Sequence, residues 1–352
     1  MLKTARNFPR NFCGHFFILS FFSCAIIGAA PVLAAPESEG AQTKNGTQKP
    51  KLKWPLDCTV FEDCFIKHYP DLRAGSHRAH PMDYQCGRRT KPGFDGTSIV
   101  FQDHNTTQNK IVQAMAPGRV MFRRDGASDR RRRGASGRDV CGHYVQIRHS
   151  STYSSKYCHL REGTLEVNVG DVVKAGAILG QVGASGATKS PKLTVKIFAH
   201  GKPVDPFTGR DLTHASECFA KSDKQMWAAE IPYPKAGVMS ASFSSGISPS
   251  HEIAFDASGV EKLSAKVGTI NAWARVFGIK KGDQEKLVIK NPKGEVWHQS
   301  QRLHPVSANF WTAMASAKPS NNLEKGVWTG IYTLKRQGET IVEHKLEVQV
   351  YE

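Results

Sequence analysis

The stretch Gly142-His143-Tyr144-Val145-Gln146-Ile147-Arg148-His149 decides the fold, together with three runs that follow it. These are Tyr157-Cys158-His159-Leu160, Val169-Gly170-Asp171-Val172-Val173-Lys174-Ala175-Gly176 and Leu179-Gly180-Gln181-Val182-Gly183-Ala184-Ser185-Gly186. Apolar residues come in short runs, and glycine or a Gly-Asp pair interrupts each run. This is the pattern of short strands joined by tight turns. It predicts strands over 112–116, 144–149, 156–160, 177–182 and 193–199 within one β-rich domain spanning 54–219.

Downstream, residues 220–240 hold a short amphipathic stretch at Met226-Trp227 and then Pro232-Tyr233-Pro234, read as a linker. From 241 to 352 a second alternating pattern predicts strands over 271–277, 285–290, 330–336 and 344–350. About seven short strands in about 110 residues point to an immunoglobulin-like β-sandwich. The expected fold class is therefore all-β in two domains, which suits a chain of 352 residues. Upstream, Lys3, Arg6 and Arg10 precede an apolar run from Phe16 to Ala30, and Val32-Leu33-Ala34 offers small residues for cleavage. Residues 1–34 thus read as a signal peptide, and the chain as exported to the periplasm or cell envelope. Residues 35–53 are polar and read as a disordered leader.

The formal net charge is +17, which points to an anionic neighbour such as a membrane surface or an acidic polymer. Arg130, Arg131, Arg132 and Arg133 are the densest run of it. They read as a solvated loop or as a contact to an anionic envelope polymer or lipid surface. No nucleic-acid partner is expected. After signal removal six cysteines remain: Cys58, Cys64, Cys86, Cys141, Cys158 and Cys218. An even number in an exported chain favours disulfides. Six allow 15 connectivities; the favoured set is Cys58 with Cys64, Cys141 with Cys158, and so Cys86 with Cys218. A zinc–thiolate cluster is the alternative, and no CxxC supports it.

Taken together, three segments resemble the LytM or lysostaphin-type zinc endopeptidases that cut peptidoglycan cross-bridges. They are Asp83-Tyr84-Gln85-Cys86-Gly87 with Gly93-Phe94-Asp95-Gly96-Thr97-Ser98-Ile99, then Ala114-Met115-Ala116-Pro117-Gly118-Arg119-Val120, then the long stretch above as far as Val204-Asp205-Pro206-Phe207. The resemblance covers about residues 80–210. It implies the duplicated hybrid motif fold and a zinc held by a His-x-x-x-Asp loop and a His-x-His strand, with a further histidine nearby. Three protein ligands would leave the fourth position to an activated water.

This chain departs from that pattern. Phe94 and Ser98 stand at the His and Asp of the loop, and Lys192 and Thr194 stand at the two histidines of the strand. Only His159 is retained. A one-step shift of the loop would place Asp95 at the acidic position but spoils the Gly-Thr-Ile match. His77, His80, His104, His143 and His149 lie in the same domain without ligand spacing. The expectation is a catalytically inactive member with no metal and no cofactor, acting as a binding or regulatory module toward peptidoglycan or a wall hydrolase. Two alternatives stand beside it: an active endopeptidase with an atypical zinc site, and a structural protein binding anionic envelope polymers.

Overall fold

In the computed structural model, residues 48–73, 80–102, 107, 109–126, 140–188, 190–214, 217–218, 225–246 and 259–352 are described. The architecture is all-β. The first part holds β1 (Cys64–His68), β2 (Thr97–Phe101), β3 (Ile111–Gln113), β4 (Gly118–Arg124), β5 (His143–Arg148), β6 (Tyr153–Leu160), β7 (Val172–Val173), β8 (Ile178–Gln181), β9 (Leu193–Ala199), β10 (Lys202–Asp205) and β11 (Arg210–Asp211). The second holds β12 (Gly237–Ser245), β13 (Lys262–Ser264), β14 (Ile270–Ile279), β15 (Gln284–Lys290), β16 (Val296–Leu303), β17 (Ala308–Ala317), β18 (Gly326–Arg336) and β19 (Glu339–Tyr351).

A nine-stranded sheet runs β1-β2-β9-β6-β5-β4-β7, with β10 and β11 continuing from β9. Its inward residues alternate along each strand as a pleat requires: Val145 and Ile147, Val195 and Ile197 are all buried. The small β3–β8 sheet closes the other side of one shared core. The segment 112–116 is strand only as far as Gln113. Beyond it the chain is held by other partners: Ala114 N–H donates to Ala177 O at 2.9 Å, and Met115 N–H donates to the Tyr157 hydroxyl at 2.7 Å.

In the second part a three-stranded sheet, β12-β14-β17, and a five-stranded sheet, β13-β19-β18-β15-β16, share a separate core. β13 pairs with β19 in parallel; the remaining pairings there are antiparallel.

Two composition-based boundaries change. Leu52, placed in the leader, is buried and bridges Trp227. Met226 and Trp227, placed in the linker, are buried in the first core. Polar neighbours hid these apolar anchors, since composition averages over a window while burial acts on single side chains.

A third apolar cluster joins the two parts, formed by Phe65 and Val100 with Met239 and Phe277. Beside it the Arg89 guanidinium lies 4.3 Å from the Tyr233 ring, 4.9 Å from Phe277, 5.1 Å from Tyr69 and 5.2 Å from Phe61. Such cation–ring contacts strengthen where water is excluded.

The structure joins Cys58 to Cys64, Cys86 to Cys218 and Cys141 to Cys158. The second bridge closes a loop across 132 positions. Its main effect is to restrict the unfolded chain, and its loss costs roughly 2–5 kcal/mol. We therefore expect the Cys86→Ser/Cys218→Ser double variant to unfold at clearly lower urea than wild type. Coincident urea curves would show that the bridge contributes nothing.

Candidate functional site

Strand register assembles the site. His68 of β1 pairs with Ser98 of β2, Ser98 pairs with Thr194 of β9, and Thr194 pairs with Cys158 of β6. Directly paired residues point to one face with closely spaced Cβ atoms. His159 is next in β6 and should face away, but the strand is irregular here. Leu160 pairs with His143 and Cys158 with Tyr144, so His159 is an extra residue opposite the β5 ladder. Its φ is +69°. A bulge of this kind re-aims the inserted side chain.

Gly183 ties His159 to Lys192. Its N–H donates to His159 O at 2.9 Å, and its carbonyl accepts from Lys192 N–H at 3.1 Å. A Cβ at Gly183 would meet the Arg161 backbone at 2.5 Å, so only glycine fits between these segments. Phe94 lies in the turn before β2. Its ring centroid is 5.7 Å from that of His68 and 4.8 Å from Lys91 Nζ. Asp71 fixes this turn by accepting N–H bonds from Arg73, Met82 and Gly93.

The electrostatics are cationic. His159 is buried, and its Nδ1 lies 2.8 Å from Ser185 O. Burial and the nearby Lys192 charge push its pKa down to about 3, which keeps the ring neutral. His68 is pushed to about 3 by burial and by Lys67, Lys91 and Lys192. Lys192 itself is lowered to about 7 by burial and the charges of Lys91 and Lys67. Asp95, the residue a shifted loop would use, is held by Lys196 at 2.6 Å.

Peptidase family M23 is matched by residues 100–206. Residues 100–206 are an M23 peptidase domain. The match begins after Phe94 and Ser98 and includes His159, Lys192 and Thr194. Over 90 residues the chain is 37% identical to the peptidoglycan DD-endopeptidase ShyC of Vibrio cholerae, covering 24% of this chain and 20% of that protein. Over 65 residues it is 34% identical to an uncharacterized metalloprotease of Buchnera aphidicola, covering 18% and 17%. The chain thus spans about a fifth of the length of these curated relatives. A zinc-containing peptidase from Vibrio cholerae is similar in structure at 20% identity, covering 48% of this chain and 41% of that one, with a TM-score of 0.28.

The residues at the five positions aligned with the zinc endopeptidases do not supply a zinc ligand set. Zinc takes imidazole, thiolate or carboxylate donors. Phe94 has no donor atom. Ser98 Oγ and Thr194 Oγ1 are neutral hydroxyls, both buried and without a hydrogen-bond partner in the protein. When protonated, Lys192 would oppose a cation by on the order of 1–4 kcal/mol per unit charge at about 4 Å near a surface. Of the five aligned positions, His159 alone offers a good donor. Among the described residues, one trio of His, Cys, Asp or Glu has ligand atoms within 4.8 Å of one another: Cys58, Asp63 and Cys64. Its two sulfurs are already joined to each other.

Among the other histidines, His143 and His149 are buried and His80 is exposed, while His77 and His104 lie outside the described residues. His149 has Nδ1 at 2.8 Å from Pro117 O and Nε2 at 2.8 Å from Ser155 Oγ, so it holds the sheet together. The run Arg130 to Arg133 also lies outside the described residues. His68 was not singled out by sequence reasoning. It sits in a strand with no motif, and only the β1–β2 register brings it to the centre. The apolar run Cys64-Phe65-Ile66 before it marks a buried strand and does not single out His68.

The lowered Lys192 pKa has a consequence for stability. Between pH of about 7 and 10.5 the unfolded chain holds this proton while the folded chain has released it. Stability contributed by this group therefore rises with pH through that window. We expect Lys192→Met to exceed wild type in unfolding free energy at pH 7, with the gap narrowing toward pH 10. Urea titrations at several pH values measure this, and a gap independent of pH would rule it out.

Proposed function

We propose that this chain is a catalytically inactive M23-type protein of the bacterial cell envelope. It acts in peptidoglycan remodelling as a binding or regulatory module, by positioning or activating wall hydrolases. The observation that carries this reading is the set Phe94, Ser98, Lys192 and Thr194 at the positions where zinc donors are required. The β-sheet scaffold is kept, while the groups that would hold and acidify a metal-bound water are replaced. Without the metal, His159 has no acidified water to work on, and burial leaves it a weak base.

A peptidoglycan setting is supported by the matched relative, which is named a peptidoglycan DD-endopeptidase. Export is supported by the sequence of residues 1–34 and by the disulfides. Among the described residues, no helix is long and apolar enough to cross a membrane. The second β region fits an interaction role because it packs at the edge of the centre: the Phe310 ring lies 6.1 Å from that of His68.

The test is incubation of the mature protein with purified sacculi, with and without added zinc. We expect the protein to sediment with sacculi and to release no soluble fragments above buffer. Chelator-sensitive release of cross-bridge fragments would overturn the proposal.

A further inference from the structure

Between the two β regions lies a cavity of about 700 Å³ whose lining includes none of Phe94, Ser98, His159, Lys192 and Thr194. Its walls come from the segment 80–90, from Tyr233 and Lys235, from the β14–β15 turn at Lys280, and from Ser307 and Asn309 at the start of β17. This volume is within the range of small-molecule sites. The lining carries Arg88, Arg89, Lys235 and Lys280, with His80 at the rim, and includes no aspartate or glutamate.

The nearest carboxylate is already engaged. Asp83 is fully buried. It accepts N–H bonds from Gln85 at 3.0 Å, Gly87 at 2.9 Å and Arg89 at 3.0 Å, and the Tyr233 hydroxyl at 2.8 Å. Arg89 is itself buried, and its η2 nitrogen donates to Pro234 O at 2.8 Å. Its η1 nitrogen has no hydrogen-bond partner. Aromatic rings surround the guanidinium, and among the described residues no carboxylate forms a salt bridge with it. A buried cation is ordinarily paired with a carboxylate. Here rings contact the guanidinium directly, and the lining itself carries four Arg and Lys residues and no carboxylate, which favours an anion. Three further exposed cations surround the mouth at Arg88, Lys235 and Lys280.

We propose that this cavity binds a small ligand bearing two or more anionic oxygen groups, either carboxylates or phosphates. The wall is built for such a ligand because its cations come from three separate segments and converge on one concave surface. Arginine adds donor geometry suited to both oxyanions. Bound there, the ligand would contact both β regions together and stiffen their junction.

The test is calorimetric titration of the full mature protein at low salt, with citrate and pyrophosphate as probes. Arg88→Ser/Lys235→Ser/Lys280→Ser is the cavity variant. All three positions are exposed, and folding is checked by melting. Lys174→Ser/Lys262→Ser/Lys266→Ser, three exposed lysines outside the cavity lining, is the charge-matched control. We expect saturable one-to-one binding of at least one probe, with a raised melting temperature. The cavity variant should bind at least tenfold more weakly, and the control should match wild type. Preference for citrate would identify the ligand as a carboxylate, and preference for pyrophosphate as a phosphate. Absence of saturable binding, or equal weakening in both variants, would overturn the proposal.

Discussion

The register of β2, β9 and β6 is the constraint on which the site depends. Pairing Ser98 with Thr194 and Thr194 with Cys158 fixes which residues can meet. A slip of one residue would turn every side chain to the opposite face. The inserted His159, with its positive φ, is then the local irregularity that brings one more side chain to the centre. Backbone geometry of this kind is indifferent to whether the converging groups are metal ligands. A phenyl ring, two hydroxyls and a lysine amine can occupy the same framework without a change of fold.

Positive charge gathers at the positions where zinc donors would be required. Lys67 and Lys91 lie close enough to depress Lys192 and His68, and Lys192 and Lys91 depress His159. Burial is the larger cause in each case, so the centre is drier than the surface and its imidazoles are uncharged. An uncharged imidazole is a fair zinc ligand, which makes the missing partners decisive rather than the state of His159.

Much of this was legible in the sequence. The Gly-punctuated runs fixed the strands β5, β6, β8 and β9 to within a few residues, because turns demand glycine and strands alternate. The substituted positions Phe94, Ser98, Lys192 and Thr194 came from the resemblance to the zinc endopeptidases, which names the places to inspect. The cysteine pairs were accessible because two of them are local. The contributions of His68, Arg89 and Leu52 were not. Each depends on a contact between segments far apart in the chain: β1 against β2, Arg89 against Tyr233 and Phe277, and Leu52 against Trp227. No local pattern encodes such a contact.

The most direct measurement is zinc titration of the purified mature protein, followed by elemental analysis after dialysis. A centre built from Phe94, Ser98, Lys192 and Thr194 should take up no stoichiometric zinc, and His159→Ala should leave that result unchanged. Tight, stoichiometric zinc in the native chain that is lost in His159→Ala would contradict a metal-free centre.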